Sequence, residues 1–373
     1  MRHDPIDSAL FTEHRKQLAA RLPPNSVAIV HAADPLTTNG DGVVRYVPSA
    51  DLFWLTGIEQ PESVAVLIPD AMNPAHREML FIREPNASLE TWEGHSLTKE
   101  KAQTISGIST VFWSDNLATT LHSLLVEKDS IVLNTNEHSR AGLGIESRDL
   151  RMARQFLDRY PLHSFHRLAP IFHDLRAVKS TAEVNIIRDA IAITKHGLDK
   201  VLSHLKPGVK EYELEAELIG EFTRQRATMG YEPIVASGKN ACTLHYINNN
   251  GPCQDGDLLL IDVGANHANY TADVTRVFPV SGRFTPRQKE LYQAVLRVLQ
   301  SSIERTVVGA TLSQWKWDAQ HQMAEELREL GLINQNQYAS DSIENPACKD
   351  FFMHGLGHSL GLGVHDPAPS DGP

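Results

Sequence analysis

The amino-acid sequence predicts an α/β domain over residues 1–172 and an α+β domain over residues 173–373. A chain of 373 residues is long enough to form two hydrophobic cores. In the first part, short apolar runs are mixed with helical patterns, which is typical of an α/β domain. In the second part, amphipathic helices flank a group of strand-like segments, which indicates an α+β domain. The polar segment at 172–179, FHDLRAVK, marks the boundary.

The elements of the first domain are predicted from hydrophobic periodicity. Short apolar runs predict strands at 26–32, 64–68, 79–82 and 131–133. Helical spacing predicts helices at 8–21, 116–127 and 146–159. Pro69 and Asp70 lie between the second and third runs and indicate a hairpin or neighbouring strands. Trp92 is flanked by polar residues and Gly94, so we expect it to lie in a loop.

Four helices are predicted in the second domain, and capping signals mark two of their starts. Ser180 with Glu183 forms a capping box, and Thr285 is followed by Pro286 at the first helical position. The helices are predicted from 180 to Pro207, over 211–228, from 285 onward and over 311–330. The residues expected on the buried faces of the second and third helices are Leu214, Leu218, Ile219, Phe222, Leu291, Ala294, Val295, Val298 and Leu299. Two strands are predicted between these helices, at 233–237 and 241–246.

A hairpin predicted within residues 255–282 contains two aspartates. An apolar run typical of a buried strand ends at Asp262, and Gly264 then offers turn chemistry. Residues 270–280 are rich in β-branched and aromatic residues and predict a returning strand that contains Asp273. Two carboxylates on adjacent buried strands repel each other and lose their water, so they need a proton or a cation between them. The hairpin therefore indicates a metal site.

Histidines supply further candidate ligands. The segment FFMHGLGHSLGLGVHDP contains His354, His358 and His365 among glycines that allow close approach to a ligand. His245 lies in the second of the two strands predicted between the helices, which we expect to run beside the hairpin. Carboxylates with an imidazole suit hard or borderline divalent ions such as Mn, Co, Fe or Zn. A carboxylate that bridges two such ions would also fit a hydrolase that activates water.

Composition excludes several classes of protein. The formal net charge is −11, which argues against nucleic acid as a partner. The N-terminal segment lacks the apolar region of a signal peptide, and no apolar run approaches the ~20 residues that cross a bilayer. The cysteines, at 242, 253 and 348, form neither a disulfide framework nor a cysteine-only zinc site. We therefore expect a cytoplasmic protein without nucleic-acid or membrane partners.

These motifs as a set resemble those of the pita-bread metallopeptidases, and within them the aminopeptidase P (Xaa-Pro aminopeptidase) family. The resemblance is carried by RYVPSADLFWLTGIEQPESVAVLIP, SGKNACTLHY, LLLIDVGANHANYTADVTRVFPVSGRFTPRQKELYQAVL and FFMHGLGHSLGLGVHD. It covers essentially the whole chain. It implies an α/β N-terminal domain followed by an α+β pita-bread catalytic domain, the creatinase/aminopeptidase fold.

The resemblance implies a metal-dependent aminopeptidase that releases the N-terminal residue from peptides with proline in the second position. Asp262 matches the family's terminal ligand of one metal, and Asp273 matches the carboxylate that bridges both metals. His358 matches the imidazole ligand. The implied cofactors are two divalent ions, with Mn expected and Co, Zn or Fe as alternatives.

The resemblance also assigns residues that contact the substrate. His245 matches a residue near the substrate's N-terminal region and the scissile carbonyl. His354 and His365 match histidines that line the proline side of the site and stabilise the tetrahedral intermediate. Tyr231 resembles a pocket residue. Trp92 resembles a tryptophan that reaches into the site of a neighbouring subunit, which implies a homo-oligomer, a dimer or a tetramer.

The sequence departs from the family pattern after the HGLGH segment. The family has two further glutamate ligands there, one of them the bridging general base, and neither occurs before Pro373. We therefore expect the C-terminal part of the catalytic domain to be missing and the 373-residue chain to be inactive as it stands. A fragment of a longer protein is favoured over a natural short relative that has become a scaffold.

Three alternatives to the aminopeptidase remain open on the sequence. A prolidase would share the site but act on Xaa-Pro dipeptides. A creatinase-like enzyme would share the fold without a metal, and the candidate ligands argue against it. A non-catalytic binding or scaffold protein would bind no metal.

Overall fold

The structure, a computed structural model, describes residues 3–94, 96–135, 137–138, 140, 142 and 144–368. The chain divides into two units, Met1–Ile186 and Ile187–Pro373. Residues 369–373, at the end of the sequence, lie outside the described residues.

The boundary between the units lies after the predicted position at 172. Residues just beyond 172 belong to the first unit because their side chains pair within it. Arg176 Nη1 lies 2.6 Å from Asp51 Oδ1. Glu183 Oε2 lies 3.5 Å from His14 Nε2, and both side chains are almost completely buried. The polarity of the segment indicated a boundary, but Arg176 within it belongs to a largely buried ion pair of the first unit.

The first unit contains a mixed β-sheet. Its strands are β1 Ser26–His31, β2 Val64–Leu67, β3 Glu78–Ile82, β4 Thr110–Trp113, β5 Ser130–Leu133 and β6 Ser164–Arg167. Among the described residues their order is β4-β3-β2-β1-β5-β6. β1, β2 and β3 pair antiparallel, as the hairpin prediction allowed, whereas β4, β5 and β6 join by parallel pairing. No strand was predicted at β4, although its residues 111–113 form an apolar run, or at β6, whose residues are half-buried or exposed and form no apolar run.

The first unit's helices include several that periodicity did not indicate. They are α1 Ser8–Ala19, α2 Ala50–Thr56, α3 Ala87–Glu93, α4 Lys99–Ser106, α5 Leu117–Leu125, α6 Arg148–Arg159 and α7 Ala169–Ala177. The predictions of α1, α5 and α6 are confirmed. α2 was missed because all its residues from Leu52 to Thr56 are buried, so it lacks an amphipathic pattern. Trp92 lies on α3 with 86% of its surface exposed, so the loop prediction was wrong.

The helices predicted in the second half are present. They are α8 Thr181–His204, α9 Glu211–Arg224, α10 Pro286–Glu304 and α11 Leu312–Glu329, followed by a short α12 Gln335–Ala339. Glu183 Oε2 accepts from the Ser180 N–H at 2.8 Å, which confirms the first capping box. Thr285 and Gln288 form the second. The predicted buried faces were too wide, since Ile219, Val295 and Leu299 are each more than 40% exposed.

The second unit's strands form two small sheets in the described part of the chain. The strands are β7 Thr228–Met229, β8 Ile234–Ser237, β9 Leu258–Val263, β10 Ala265–His267, β11 Tyr270–Thr271 and β12 Val274–Pro279. One sheet has the order β11-β10-β7 and the other β12-β9-β8. α9 ends before the predicted residue 228 because β7 begins there.

The predicted central hairpin is present with a different turn. β9 and β12 pair antiparallel, but the chain does not turn at Gly264. It continues through β10 and turns at Ala268 and Asn269, whose φ angles are +50° and +67°. Asp273 lies between β11 and β12 and not inside a strand. The strand predicted at 241–246 was wrong, because a 3-10 helix, Gly238–Cys242, and a turn occupy this segment.

Within the described residues, no helix has both the length and the apolar composition needed to cross a bilayer.

Candidate metal centre

The pairing of β9 with β12 brings the two aspartates together. Asp262 lies opposite Thr275 in this antiparallel pair. Asp273 precedes Thr275 by two residues, and side chains two apart point to the same side of an extended chain. Both aspartates are half-buried. The register therefore places two carboxylates on one face, as the hairpin prediction required.

A tyrosine hydroxyl lies between the two carboxylates. Tyr231 Oη is 2.6 Å from Asp262 Oδ1 and 2.8 Å from Asp273 Oδ1. It reaches this position because β7 pairs with β10, and the Gly230 N–H donates to the Gly264 carbonyl at 2.8 Å. A hydroxyl has one proton and donates to one carboxylate at a time. Two acceptors therefore share one donor.

The surroundings shift the pKa values of these groups in different directions. Burial raises the pKa of Asp262, and the nearby charge of Asp273 adds to the rise, although Tyr231 donates to it. Burial would also raise the pKa of Asp273, but hydrogen bonds from His358 and Tyr231 outweigh it and lower the pKa. Burial and the two carboxylates raise the pKa of Tyr231, so its hydroxyl stays protonated. Asp273 is the more easily ionised member of the pair.

The HGLGH segment reaches the aspartates from the far end of the chain. Residues 351–368 contain no helix or strand. The Thr271 N–H donates to the Gly361 carbonyl at 2.9 Å and ties the segment to the hairpin. His358 Nε2 then lies 3.1 Å from Asp273 Oδ2. Asp273 is thus the shared member of two contacts, one with the imidazole and one with the hydroxyl beside Asp262.

The backbone sets the tautomer of His358. Its Nδ1 lies 3.1 Å from the carbonyl oxygen of Ser359. Because a carbonyl oxygen only accepts, Nδ1 carries a hydrogen, and Nε2 faces Asp273, to which it donates when it too is protonated. Metal-binding histidines typically donate their second N–H to a carbonyl or carboxylate in this way.

The other predicted histidines differ in position. His365 lies beside His358, with ring centroids 4.2 Å apart and planes at 68°. His354 is exposed, its Nδ1 lies 2.8 Å from the Gly355 carbonyl, and its ring contacts Phe352. The structure therefore joins His365 to the aspartates' neighbourhood and leaves His354 at the surface of the unit.

His245 and Trp92 lie outside this cluster of contacts. His245 is exposed in the turn that follows the 3-10 helix Gly238–Cys242, so its predicted strand is absent. Trp92 belongs to the first unit and lies exposed on α3.

Sequence reasoning missed the importance of Gly264 for this site. A Cβ added to Gly264 would overlap the carbonyl oxygen of Ala272 and would lie 3.1 Å from the Tyr231 ring. Ala272 precedes Asp273, so the absent side chain lets the backbone next to one aspartate pack against the tyrosine. The glycine two positions after Asp262 was a visible signal, but the sequence suggested a turn there.

The donor set fits a divalent metal ion. Asp262, Asp273 and His358 provide carboxylate oxygens and an imidazole nitrogen, which suit hard or borderline ions. The two carboxylates share one hydroxyl and one imidazole as partners, and a cation would compensate them more fully. As the side chains stand, no group of three or more His, Cys, Asp or Glu among the described residues is gathered closely enough to hold an ion. The candidate ligands are instead linked in pairs through Asp273.

The chain matches known families over most of its length. A model described as metallopeptidase family M24 matches residues 185–372, and one described as aminopeptidase P, N-terminal domain, matches residues 11–133. The Xaa-Pro aminopeptidase of Escherichia coli (strain K12) is 33% identical over 360 residues, covering 95% of this chain and 80% of the relative.

Solved structures of the same relatives share the fold. An aminopeptidase P from E. coli in a low-pH form has a TM-score of 0.87 and 30% identity, covering 99% of this chain and 83% of that one. A Zn-substituted E. coli aminopeptidase P in complex with product has a TM-score of 0.85 and 29% identity, covering 98% and 83%. These likenesses confirm the predicted fold class, an N-terminal α/β domain before a pita-bread domain. The chain therefore belongs to metallopeptidase family M24, and the N-terminal domain of aminopeptidase P precedes its M24 region.

Proposed function

We propose that this chain is a metal-dependent aminopeptidase that releases the N-terminal residue from peptides with proline in the second position. The observation that carries the proposal is the contact of both Tyr231 and His358 with Asp273, which assembles Asp262, Asp273 and His358 in a member of family M24. The Xaa-Pro aminopeptidase relatives support the substrate class.

The residues of the site would each have a separate task. Asp262, Asp273 and His358 would hold the metal. Divalent ions of this kind, when bound, lower the pKa of a water to about 7 and polarise the scissile carbonyl. The Tyr231 hydroxyl restrains the two carboxylates at one distance from each other, since it contacts both. The Ser359 carbonyl keeps His358 Nε2 directed at the site.

The remaining histidines would contact the substrate. His365 lies against His358 and would act on the proline side of the site. His354 and His245 are exposed and would donate to substrate atoms, including the oxyanion that develops at the carbonyl. Proline has a fixed φ and no N–H, so a pocket shaped for its ring selects it over other residues.

The finer properties follow from the same proposal. We propose two ions per site and Mn as the physiological metal, because a site dominated by carboxylates suits hard ions. A homo-oligomer is proposed because Trp92 is a large apolar side chain that is 86% exposed and could bury itself in another copy. The cytoplasm is proposed because all three cysteines are free thiols.

Hydrolysis of an Xaa-Pro-Xaa tripeptide with added Mn²⁺ tests the function. The 373-residue chain is compared with a form that includes whatever its reading frame supplies downstream, because two further glutamate ligands were expected there. Release of the N-terminal residue by either form supports an aminopeptidase, and its loss in the Asp273→Asn variant assigns it to this site. No hydrolysis by either form, with every candidate metal tested, contradicts the proposal.

An Xaa-Pro dipeptide separates aminopeptidase from prolidase. A prolidase cleaves the dipeptide and rejects the tripeptide, whereas an aminopeptidase accepts the tripeptide. A tripeptide with alanine in the second position is the control for the proline requirement.

A further inference from the structure

A buried carboxylate lies beneath the loop that carries His245. The His245 loop is defined here as residues 238–251, which follow β8. Glu211 is the first residue of α9, and its exposed fraction is 0%. Burial of an ionised side chain is costly unless hydrogen bonds replace its water. The hydrogen-bond partners of Glu211 therefore show which part of the structure this buried carboxylate stabilises.

Four hydrogen-bond donors surround the Glu211 carboxylate. Oε1 accepts from the Ser237 N–H at 2.7 Å and from Asn240 Nδ2 at 2.9 Å. Oε2 accepts from the Gly251 N–H at 2.6 Å and from the Tyr246 hydroxyl at 2.8 Å. Four donors around two oxygens fit the ionised form, which only accepts. Ser237 directly precedes the loop, Gly251 is its last residue, and the other two donors lie between them, so one side chain ties the loop at both ends and inside.

A second buried side chain anchors the same loop to β8. Asn249 is 1% exposed and has a left-handed φ of +43°. Its Oδ1 accepts from the Val235 N–H at 3.0 Å, and its Nδ2 donates to the Pro233 carbonyl at 2.9 Å. β8 in turn pairs with β9, where Ile234 lies opposite Asp262. The base of the loop is thus fixed to the strand next to the one that carries the first aspartate.

The tip of the loop is exposed although its base is fixed. His245 is exposed, and its neighbours Leu244 and Ile247 have exposed fractions of 53% and 56%. His245 directly precedes Tyr246, whose hydroxyl contacts Glu211. The position of the imidazole therefore depends on the buried hydrogen bonds below it and not on packing around it.

We propose that Glu211 is a positioning residue that holds the His245 loop in the conformation needed for His245 to act. The proposal rests on the function proposed above for the role of His245. The geometry of the loop can be tested without that function. Misplacement of a catalytic group by about 1 Å can lower a rate by about 100-fold. Anchoring the loop that carries His245 would therefore maintain the rate.

The first test is hydrogen–deuterium exchange of the full chain with the Glu211→Gln substitution. A glutamine amide nitrogen cannot accept, so one pair of donors loses its acceptor. We expect the amides of the His245 loop to exchange roughly tenfold faster or more, as for the loss of a hydrogen bond to a charged acceptor. Exchange in the first unit should not change. Glu217→Gln, on the same helix, is the matched control because Glu217 has only a 3.8 Å contact with His204.

Tyr246→Phe is a milder variant that keeps the test decisive if Glu211→Gln does not fold. It removes one donor of the Oε2 pair and leaves the Gly251 N–H in place. We expect faster exchange at the loop interior and a smaller change at Gly251. Exchange that stays at the control level in both variants would overturn the proposal.

The second test is a double-mutant cycle with the tripeptide substrate. Glu211→Gln should lower kcat about 10–100-fold with little change in KM, because the displaced side chain, His245, acts in the reaction. In a His245→Ala background the same substitution should have almost no further effect. An equal loss in both backgrounds would mean that Glu211 acts on general stability and would overturn the positioning role.

The two tests separate failure of the proposal from failure of the function. If neither the 373-residue chain nor its extended form cleaves an Xaa-Pro peptide, the proposed function fails and the catalytic part of this proposal fails with it. Faster exchange in the variants would still support the anchoring of the loop. If the protein is active and the loop exchange changes, an additive cycle would contradict the link to His245.

Discussion

Buried carboxylates are compensated in different ways in the two units. In the first unit, Asp51 and Glu183 face charged or ionisable partners of the same chain. Arg176 lies 2.6 Å from Asp51, and His14 lies 3.5 Å from Glu183, which also accepts from Ser180. These acids are paired with groups of the chain itself, so they stabilise the fold.

In the second unit the two aspartates of the metal centre share their partners. Asp262 and Asp273 share the single proton of the Tyr231 hydroxyl. The imidazole next to Asp273 belongs to His358, whose side chain is 32% exposed and lies on a segment without helix or strand. The comparison teaches that Asp262 and Asp273 differ from Asp51 and Glu183 in sharing one hydrogen-bond donor, and not in being buried.

The Gly264→Ala substitution should disrupt the metal centre of the second unit and should have the largest effect on stability. Its Cβ would overlap the Ala272 carbonyl and press on the Tyr231 ring. We expect the second unit to lose about 4 kcal/mol of its free energy of unfolding and to lose metal binding, with the first unit unchanged. Calorimetric unfolding and Mn²⁺ titration would measure both. Gly355→Ala is the control, because no atom lies within 4 Å of its added Cβ. Equal destabilisation by both variants would contradict the prediction.

The Glu183→Gln substitution should show how much the stability of the first unit depends on the ionised Glu183 and its hydrogen bonds. Burial would raise the pKa of Glu183, but hydrogen bonds from His14 and Ser180 outweigh it and lower the pKa from 4.5 to about 2. The stabilisation is therefore complete above pH 4.5 and is lost as the pH falls from 4.5 to 2. We expect the variant to be less stable by about 3 kcal/mol at pH 7. Its free energy of unfolding should also fall less between pH 4.5 and pH 2 than that of the unsubstituted protein.

Unfolding of the first unit by urea between pH 2 and pH 7 would measure this difference. Glu13→Gln is the control, since its side chain is 53% exposed and pairs with Lys16 on the surface. If the stability of the variant follows the same pH profile as the parent, the compensation assigned to Glu183 is incorrect.

Mn²⁺ should stabilise the second unit and not the first. A ligand at 100 times its dissociation constant adds about 2.7 kcal/mol to the unit that binds it. We expect this gain to disappear with Asp273→Asn, because Asp273 links the other two candidate ligands, and to persist with Glu183→Gln. Thermal unfolding at increasing Mn²⁺ would measure the gain. A gain that survives Asp273→Asn would place the metal elsewhere.

The Tyr231→Phe substitution should give the smallest effect and should depend on metal. Without metal, loss of the shared donor leaves Asp262 and Asp273 facing each other, and we expect a cost of about 1–2 kcal/mol. With Mn²⁺ bound, the cation compensates both carboxylates and the cost should fall. Urea unfolding with and without Mn²⁺ compares the two states. An equal cost in both would show that the hydroxyl does not substitute for a cation.

Local patterns predicted much of the fold and part of the site. The capping boxes at Ser180 and Thr285 gave correct helix starts, because these hydrogen bonds join residues three positions apart. The antiparallel partners of Asp262 were also predictable, because an apolar run and a β-rich run are separated by few residues. The motif set identified the candidate ligands and the family.

Structure that depends on distant partners was not predictable in this way. Edge strand β6 is formed by pairing with β5 and has no apolar run of its own. The strand predicted around His245 failed because Glu211 holds that segment in a compact loop, through contacts up to 40 residues apart. Periodicity over a few residues carries no information about such a contact.

The sequence by itself determined the family, the two kinds of domain and the identities of the candidate ligands, because these depend on residue types at short spacings. Only the tertiary structure decided how the ligands meet. Tyr231 lies 42 residues before Asp273, and His358 lies far beyond both, yet strand pairing and one backbone hydrogen bond bring the three together. Such contacts form because packing offsets the loss of chain entropy, and that balance involves the whole unit.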